Sequence, residues 1–187
     1  MEDSIGCRCV SGRITVLTGP MCSGKTCALV RKLMRAQIAG LSVFIFKPNK
    51  GREPDKEEII SRSGTKMRAF TLQNGDALEV LDVLDHEKNR CAIGFDEAQW
   101  IKNLKIVALE LASRGNLVYI AGLDMDYRGE PYLEMCLTMG IAERVEKLTA
   151  VSVKCGCPAT HTTRLRDGDD EGGTWEPRCR LRWQEEK

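Results

Sequence analysis

The chain has 187 residues, and its 28 lysines and arginines nearly balance its 27 aspartates and glutamates, for a formal net charge of +1. This length suits one compact domain, or one domain with a small appendage. Balanced charge argues against nucleic acid as a partner, and no run approaches the ~18 apolar residues that a membrane span needs. Because the first residues are acidic and lack a signal-peptide core, we expect a soluble, cytoplasmic protein.

The first predicted strand, residues 14–18, leads into a glycine-rich turn, and residues 27–39 follow with apolar residues at helical spacing. The turn reads Gly19-Pro20-Met21-Cys22-Ser23-Gly24-Lys25-Thr26. Backbone N–H groups of such a turn, with the helix N-terminus, cradle phosphate oxygens, while Lys25 suits the outer phosphates and the Thr26 hydroxyl suits magnesium. The segment predicts an ATP-type phosphate loop. A plain strand-to-helix turn would not explain why the glycines and the lysine keep this spacing.

Strands and helices alternate along the following part of the chain. Strands are predicted at residues 42–46, 68–72, 91–95 and 117–121, and helices at residues 76–85 and 104–114. This alternation predicts an α/β fold, a parallel sheet flanked by helices with ligands at the carboxyl ends of its strands. From about residue 149 the sequence turns to glycine, charge and cysteine. We therefore expect an α/β nucleotide-binding domain over 1–148 and a small lobe over 149–187.

Two carboxylates follow the strand at residues 91–95. In phosphate-loop enzymes an acidic residue at this point binds magnesium, usually through water, and Asp96 is the candidate for that role. Glu97 would then lie beside the γ-phosphate, where a carboxylate can accept a proton from an attacking hydroxyl. The alternative is that Glu97 caps the chain or pairs with a nearby cation, and position alone does not decide between the two.

The chain contains nine cysteines, a high and odd count. An odd number without a secretion signal argues against a disulfide framework. Four of them stand in apolar or motif contexts and are predicted to be buried thiols, namely Cys22, Cys27, Cys91 and Cys136. The other five lie nearer the two ends of the chain.

Three segments stand in a characteristic order and spacing: residues 19–26, residues 95–100 (Phe-Asp-Glu-Ala-Gln-Trp), and residues 121–132 (Ala-Gly-Leu-Asp-Met-Asp-Tyr-Arg-Gly-Glu-Pro-Tyr). In this combination the chain resembles the thymidine kinase family of the cellular and poxviral type. The resemblance continues through residues 147–151 and 164–165 and covers about residues 13–183. It implies transfer of the γ-phosphate of ATP to the 5′-hydroxyl of thymidine, and a homo-oligomer, commonly a tetramer.

The resemblance also assigns roles to single residues. The glutamate that matches Glu97 is the family's general base, and Arg128 would contact phosphate or brace its loop. Apolar and aromatic residues would line the nucleoside pocket, as a flat base requires. They are Met21, Trp100, Leu123, Tyr127, Tyr132 and Trp175, the last standing where the family carries a tyrosine. The alternative for the aromatic residues is a place in the core.

The family's zinc lobe is altered in this chain. Where the family has two cysteine pairs, this sequence reads Ser152-Val153-Lys154-Cys155 and Cys179-Arg180-Leu181-Arg182. Neither serine nor arginine normally binds zinc. Zinc binding is therefore left open, with free thiols as the alternative. The candidate ligands are Cys155, Cys157, Cys179 and His161, joined by Cys7 and Cys9 only if the N-terminus folds back.

Three loops also depart from the family pattern. They are Gly51-Arg52-Glu53 in place of Asp-x-Arg, Ser61-Arg62-Ser63-Gly64 in place of Ser-His-x-Gly, and an acidic stretch at residues 167–171 in the loop that covers the base. We expect a thymidine kinase that also accepts deoxyuridine, because a missing methyl group changes binding by only ~1–3 kcal/mol. The alternatives are an ATP-binding homologue without turnover, acting as regulator or scaffold, and a general ATPase or GTPase.

Overall fold

The computed structural model describes residues 12–49, 58–60, 64, 66–165 and 174–186. The strands in chain order are β1 (Arg13–Thr18), β2 (Ser42–Pro48), β3 (Glu58–Ile60), β4 (Lys66–Arg68), β5 (Phe70–Leu72), β6 (Cys91–Phe95), β7 (Leu117–Gly122), β8 (Arg144–Lys147), β9 (Ala150–Val151), β10 (Pro158–Ala159), β11 (His161–Arg164) and β12 (Trp175–Arg178). The helices are α1 (Lys25–Ile38), α2 (Glu79–Val83), α3 (Leu104–Ser113), α4 (Leu133–Ile141) and α5 (Arg180–Glu185), and a 3₁₀ turn spans Ala98–Trp100.

The centre of the fold is a six-stranded sheet with the order β5-β2-β6-β7-β1-β8, in which every neighbouring pair is parallel. The predicted α/β fold with a parallel sheet is therefore confirmed. The other strands form antiparallel pairs, β3 with β4, β9 with β10 and β11 with β12. No helix in the described ranges is long and apolar enough to cross a membrane.

Helices cover both faces of the sheet, and each face has its own apolar core. On one face α1 contributes Leu29 and Leu33, and on the other α3 contributes Leu104 and Leu111. Strands β6 and β7 are buried along their whole length, which explains why they read as continuous apolar runs. Gly94 permits the close approach of α1, because a Cβ at that position would lie 2.6 Å from Cδ1 of Leu33.

The structure corrects several predicted elements. The helix expected at residues 76–85 is only Glu79–Val83, because the Asp76 side chain accepts a hydrogen bond from the Leu78 N–H at 2.9 Å and holds the preceding residues in a turn. The strand expected at 68–72 is divided into β4 and β5. Of the four cysteines expected to be buried, only Cys91 is buried; Cys22, Cys27 and Cys136 are partly exposed.

Strands β9 to β12 and helix α5 form the C-terminal part of the chain, and the division into two domains at residue 148 stays a prediction. Arg178 is 1% exposed and pairs with Glu176 at 2.8 Å and with Glu186 at 3.0 Å. The His161 and Trp183 rings lie 4.4 Å apart. This part is therefore held by the ion pairs of a buried arginine and by ring contacts. The altered residues 51–53, 61–63 and 167–173, together with Cys7 and Cys9, lie outside the described residues.

Candidate active site

The phosphate loop joins the end of β1 to the first turn of α1. Gly19 has φ of +139° and Gly24 has φ of +83°, values that residues with a side chain rarely adopt. A Cβ on Gly19 would also collide with the carbonyl oxygen of Leu148. The path of the backbone therefore requires both glycines. It places the loop at the N-terminus of α1, where the helix dipole favours an anion.

Lys25 is held across this loop by a hydrogen bond from its ammonium group to the carbonyl oxygen of Pro20, 2.7 Å away. Burial lowers the pKa of Lys25 below its ordinary value, while the carboxylates of Glu97, Asp96 and Asp124 act in the opposite direction. The lysine thus carries its charge among three carboxylates at the ends of β6 and β7. A phosphate arriving in the loop would exchange the Pro20 carbonyl for a stronger, charge-assisted partner.

Asp96 follows β6 and is 8% exposed. The Thr26 hydroxyl donates to its carboxylate, with Oγ1 lying 3.1 Å from Oδ1 and 3.2 Å from Oδ2. Burial first and the neighbouring Glu97 second raise the pKa of Asp96 to about 6, against the hydrogen bond from Thr26. A hydroxyl and a buried carboxylate that lacks a full countercharge are oxygen ligands suited to magnesium, so these two residues fit that ion.

Glu97 lies at the point where the chain leaves the sheet and enters the 3₁₀ turn. Its φ of +53° is left-handed, a strained backbone conformation for a residue with a side chain. The Gln99 side-chain amide donates to Oε2 of Glu97 at 2.7 Å. The amide oxygen of Gln99 in turn accepts a hydrogen bond from the Leu123 N–H at 3.0 Å. The carboxylate is therefore fixed relative to the end of β7.

Four of the six expected nucleoside residues form two aromatic pairs. The rings of Trp100 and Tyr132 meet edge to face at 5.4 Å, and those of Tyr127 and Trp175 lie 5.6 Å apart. The Leu123 N–H donates to Gln99, which lies in the same 3₁₀ turn as Trp100. The Met21 N–H donates to the Thr162 hydroxyl at 3.1 Å. These contacts join the phosphate loop, the β7 loop and the β11–β12 hairpin around one region.

Arg128 contacts the neighbouring Tyr127 side chain. Its Nε donates to the Tyr127 hydroxyl at 2.9 Å, and its guanidinium carbon lies 5.1 Å from the centre of the Tyr127 ring. Both contacts are with the adjacent residue, and the choice between phosphate contact and loop bracing stays a prediction.

Several residues whose contacts hold the site together were not identified from the sequence. Gln99 and Asp124 are polar residues that closely follow the apolar strands β6 and β7, and that position in the sequence could have indicated them; in the structure both are buried. Asp124 is 4% exposed and pairs with Lys147 at 2.8 Å. The guanidinium of Arg164 lies over the rings of both Tyr127 and Trp175, at 5.4 and 5.6 Å.

Trp183 of α5 supports the loop after β7, which contains Tyr127 and Gly129. Its indole N–H donates to the Tyr127 carbonyl oxygen at 3.0 Å. A Cβ on Gly129 would lie 2.7 Å from Cη2 of this ring, so the loop and the ring are in close contact. Trp183 stands in a charged C-terminal segment, and nothing local in the sequence indicates this role.

The described residues do not form a zinc site, and Cys7 and Cys9 lie outside them. Within the described part of the chain, no three His, Cys, Asp or Glu side chains converge as a metal-ligand set. Cys155 and Cys179 are neighbours, with 3.5 Å between their sulfurs, and the Cys157 thiol lies close to them, 3.8 Å from the Cys155 carbonyl oxygen. His161 hydrogen-bonds to Thr160 through Nδ1 at 2.9 Å and its ring contacts Trp183, so it is engaged elsewhere.

The sequence model of one protein family, described as thymidine kinase, matches residues 12–180 of the chain. This match includes the phosphate loop, the carboxylates after β6 and the aromatic loop after β7, and it supports a kinase that phosphorylates nucleosides with ATP. Because the match covers most of its length, the chain belongs to the thymidine kinase family.

Proposed function

We propose that the protein transfers the γ-phosphate of ATP to the 5′-hydroxyl of thymidine, and that it also accepts deoxyuridine. The observation that carries this proposal is a pair of adjacent carboxylates at the end of β6, each held by its own hydrogen bond: Asp96 by Thr26 of the phosphate loop, and Glu97 by Gln99. Gln99 is held in turn by the Leu123 N–H just after β7, and Lys25 interacts electrostatically with both carboxylates. A protein that only bound ATP would not need Glu97 to be held in place.

The chain of residues 19–26 binds the phosphates of ATP. Backbone N–H groups of the loop and the N-terminus of α1 contact phosphate oxygens, and Lys25 leaves the Pro20 carbonyl oxygen to pair with the outer phosphates. Thr26 and Asp96 would hold magnesium, which when bound neutralises charge on the phosphates. Phosphoryl transfer depends mostly on positioning and charge neutralisation, which are the tasks these residues are placed to do.

Glu97 acts as the general base. The 5′-hydroxyl oxygen attacks the γ-phosphorus, the bond from that phosphorus to the bridging oxygen of ADP breaks, and the hydroxyl proton passes to a carboxylate oxygen of Glu97. The Gln99 amide holds this carboxylate by donating to Oε2 at 2.7 Å. The products are ADP and the nucleoside monophosphate.

Apolar and aromatic side chains hold the nucleoside with its 5′-hydroxyl toward Glu97. In this proposal they are Met21, Trp100, Leu123, Tyr127, Tyr132 and Trp175. The two aromatic pairs provide flat faces for a pyrimidine, and Arg128 and Arg164 stiffen the pair of Tyr127 and Trp175. A cytoplasmic location and a homo-oligomeric assembly are part of the proposal and rest on the family resemblance.

The test is steady-state phosphorylation of thymidine, deoxyuridine and deoxycytidine with Mg-ATP by the full chain. Glu97→Gln should lower kcat by about 10²–10⁴-fold, the usual contribution of a general base, and leave ATP affinity nearly unchanged. Glu110→Gln on the exposed face of α3 is the matched control and should leave kcat unaltered. Equal activity in the Glu97 variant would refute its role as base.

The competing function, an ATP-binding regulator or scaffold without turnover, predicts a different result from the same experiment. ATP would bind to the wild-type chain, but none of the three nucleosides would be phosphorylated. The altered residues 51–53 and the broken zinc pairs at residues 152–155 and 179–182 are the features of the sequence that favour it.

A further inference from the structure

Two cysteines that are distant in sequence meet in the C-terminal part of the chain. The sulfurs of Cys155 and Cys179 lie 3.5 Å apart although 24 residues separate them. Cys155 is exposed, and Cys179 is partly exposed. Both thiols are therefore open to small molecules in solution, and they already touch one another.

The backbone around each cysteine fixes this contact. Cys155 lies in the turn between β9 and β10, which is closed by hydrogen bonds from the Cys155 and Gly156 N–H groups to the Ser152 carbonyl oxygen, at 3.3 and 2.8 Å. Gly156 has φ of +71°, which lets the turn fold back tightly. Cys179 lies between β12 and the first residue of α5. Each sulfur thus projects from a defined backbone position.

The surroundings of this pair suit thiol chemistry better than metal binding. The Cys155 thiol contacts the Ser152 hydroxyl, with 3.4 Å between Sγ and Oγ. The guanidinium of Arg182 interacts with the same sulfur while it pairs with Glu185 at 2.8 Å. Serine and arginine contribute no zinc ligand. A cation beside an exposed sulfur is typical of a reactive cysteine.

We propose that Cys155 and Cys179 are a reversible redox pair that forms an intramolecular disulfide on reaction with low-molecular-weight disulfides. The Cys155 sulfur attacks one sulfur of RS–SR; the S–S bond breaks, and the departing RS⁻ takes up the proton that Cys155 loses. The Cys179 sulfur then attacks the Cys155 sulfur, and the second RS⁻ leaves with the Cys179 proton. Two protein thiols are oxidised and one RS–SR is reduced to two RSH.

The disulfide would act on a support of the candidate active site. It would close a ring that contains β11 and β12, and it would tie the start of α5 to the β9–β10 turn. Trp183 of α5 holds the Tyr127 carbonyl oxygen and packs on Gly129. Oxidation therefore restrains the helix on which the loop after β7 rests, and we expect a higher Tm for the oxidised chain than for the reduced chain.

The test uses the full chain, first reduced and freed of reductant, then incubated with glutathione disulfide and digested for mass spectrometry. The expected product is a peptide cross-link between Cys155 and Cys179 that dithiothreitol reverses. In Cys179→Ser the reaction should stop at a glutathione adduct on Cys155. Cys157→Ser is the matched control, because it removes the neighbouring exposed thiol and should leave the cross-link intact.

Three results would overturn the proposal, and the first two need only the wild-type chain. One is a stoichiometric zinc ion in the purified protein that protects both thiols from the disulfide. Another is oxidation without a Cys155–Cys179 link, as adducts alone or as a Cys155–Cys157 link. The third is a cross-link whose yield falls with Cys157→Ser. None of these measurements depends on nucleoside turnover, so the redox pair and the kinase function can fail separately.

Discussion

The side-chain nitrogen of Gln99 lies 2.7 Å from Oε2 of Glu97, and the Gln99 amide oxygen faces the Leu123 N–H at 3.0 Å. The orientation of the amide is fixed by its two partners, because a backbone N–H can only donate and a carboxylate can only accept. Gln99 is 7% exposed, so both hydrogen bonds are shielded from water. Gln99, which lies outside the phosphate loop, therefore positions the candidate base.

Replacing Gln99 by methionine should lower kcat for thymidine by about 10- to 100-fold, because a hydrogen bond to a charged group is worth roughly 1.5–3 kcal/mol. The KM for ATP should change little. Among the described residues, the side-chain hydrogen bonds of Gln99 go to Glu97 and Leu123 and not to the phosphate loop. Gln37→Met on the exposed face of α1 is the matched control.

A double variant separates positioning from a general structural effect. If Gln99 acts through Glu97, then Gln99→Met should cause little further loss of kcat in a Glu97→Gln background. Losses that multiply in the double variant would mean that Gln99 supports the site in another way.

The phosphate loop could be predicted from sequence because its determinants are local. Gly19, Gly24, Lys25 and Thr26 stand within a single turn, and the positive φ angles at both glycines are what that pattern requires. The parallel sheet could be predicted for a similar reason, since strands buried on both faces leave continuous apolar runs. Edge strand β8 was missed because most of its residues are exposed and it lacks such a run.

The contacts that complete the site could not be predicted because they join distant parts of the chain. The bond from Leu123 to Gln99 spans 24 positions and the bond from Trp183 to Tyr127 spans 56. Helix α4 was missed because Leu133 and Leu137 are substantially exposed, at 70% and 40%, so its apolar residues do not mark a buried face. Such features depend on which elements meet, and single-sequence periodicity does not contain that information.

Asp96 should make the stability of the ligand-free protein depend on pH. Its pKa is raised from the ordinary value of 3.8 to about 6, chiefly by burial. The folded chain then keeps a proton that the unfolded chain has lost, so this contribution is full below about pH 4 and disappears as the pH rises through about 6. A shift of roughly two pKa units corresponds to about 3 kcal/mol.

Asp96→Asn removes the buried charge and keeps an acceptor for the Thr26 hydroxyl. Chemical denaturation without nucleotide or magnesium measures the free energy of unfolding of both proteins. The value for the variant should rise relative to that of the wild type between about pH 4 and 6, by up to about 3 kcal/mol. Asp82→Asn, exposed on α2, should show no such trend. A difference between Asp96→Asn and the wild type that does not vary with pH would contradict the assignment.

Trp175→Ala should raise the KM for thymidine by about 10-fold, which corresponds to ~1.4 kcal/mol of lost contact. Its ring lies 5.6 Å from that of Tyr127 and under the Arg164 guanidinium, so the change removes one wall of this cluster. The KM for ATP should stay the same. Trp175→Phe retains an aromatic face and should recover most of the affinity. An unaltered thymidine KM in the alanine variant would place Trp175 outside the nucleoside pocket.

Gly129 and Gly140 offer a matched pair of glycine-to-alanine changes with opposite expected signs. At Gly129 φ is +86°, and a Cβ would lie 2.7 Å from Cη2 of Trp183. Gly140 lies within α4, and a Cβ there would meet no atom within 4 Å. Alanine should therefore destabilise the chain at 129, by about 1–3 kcal/mol, and stabilise it at 140, by about 0.5–1 kcal/mol.

The Gly129 change also tests the link from α5 to the candidate active site. A loop pushed away from Trp183 would displace Tyr127, so the thymidine KM should rise in Gly129→Ala while the ATP KM stays constant. Urea denaturation gives the stabilities, and initial rates at varied thymidine and ATP give the two constants. If Gly129→Ala lost stability without any change in the thymidine KM, the contact between α5 and this loop would serve the fold and not the nucleoside site.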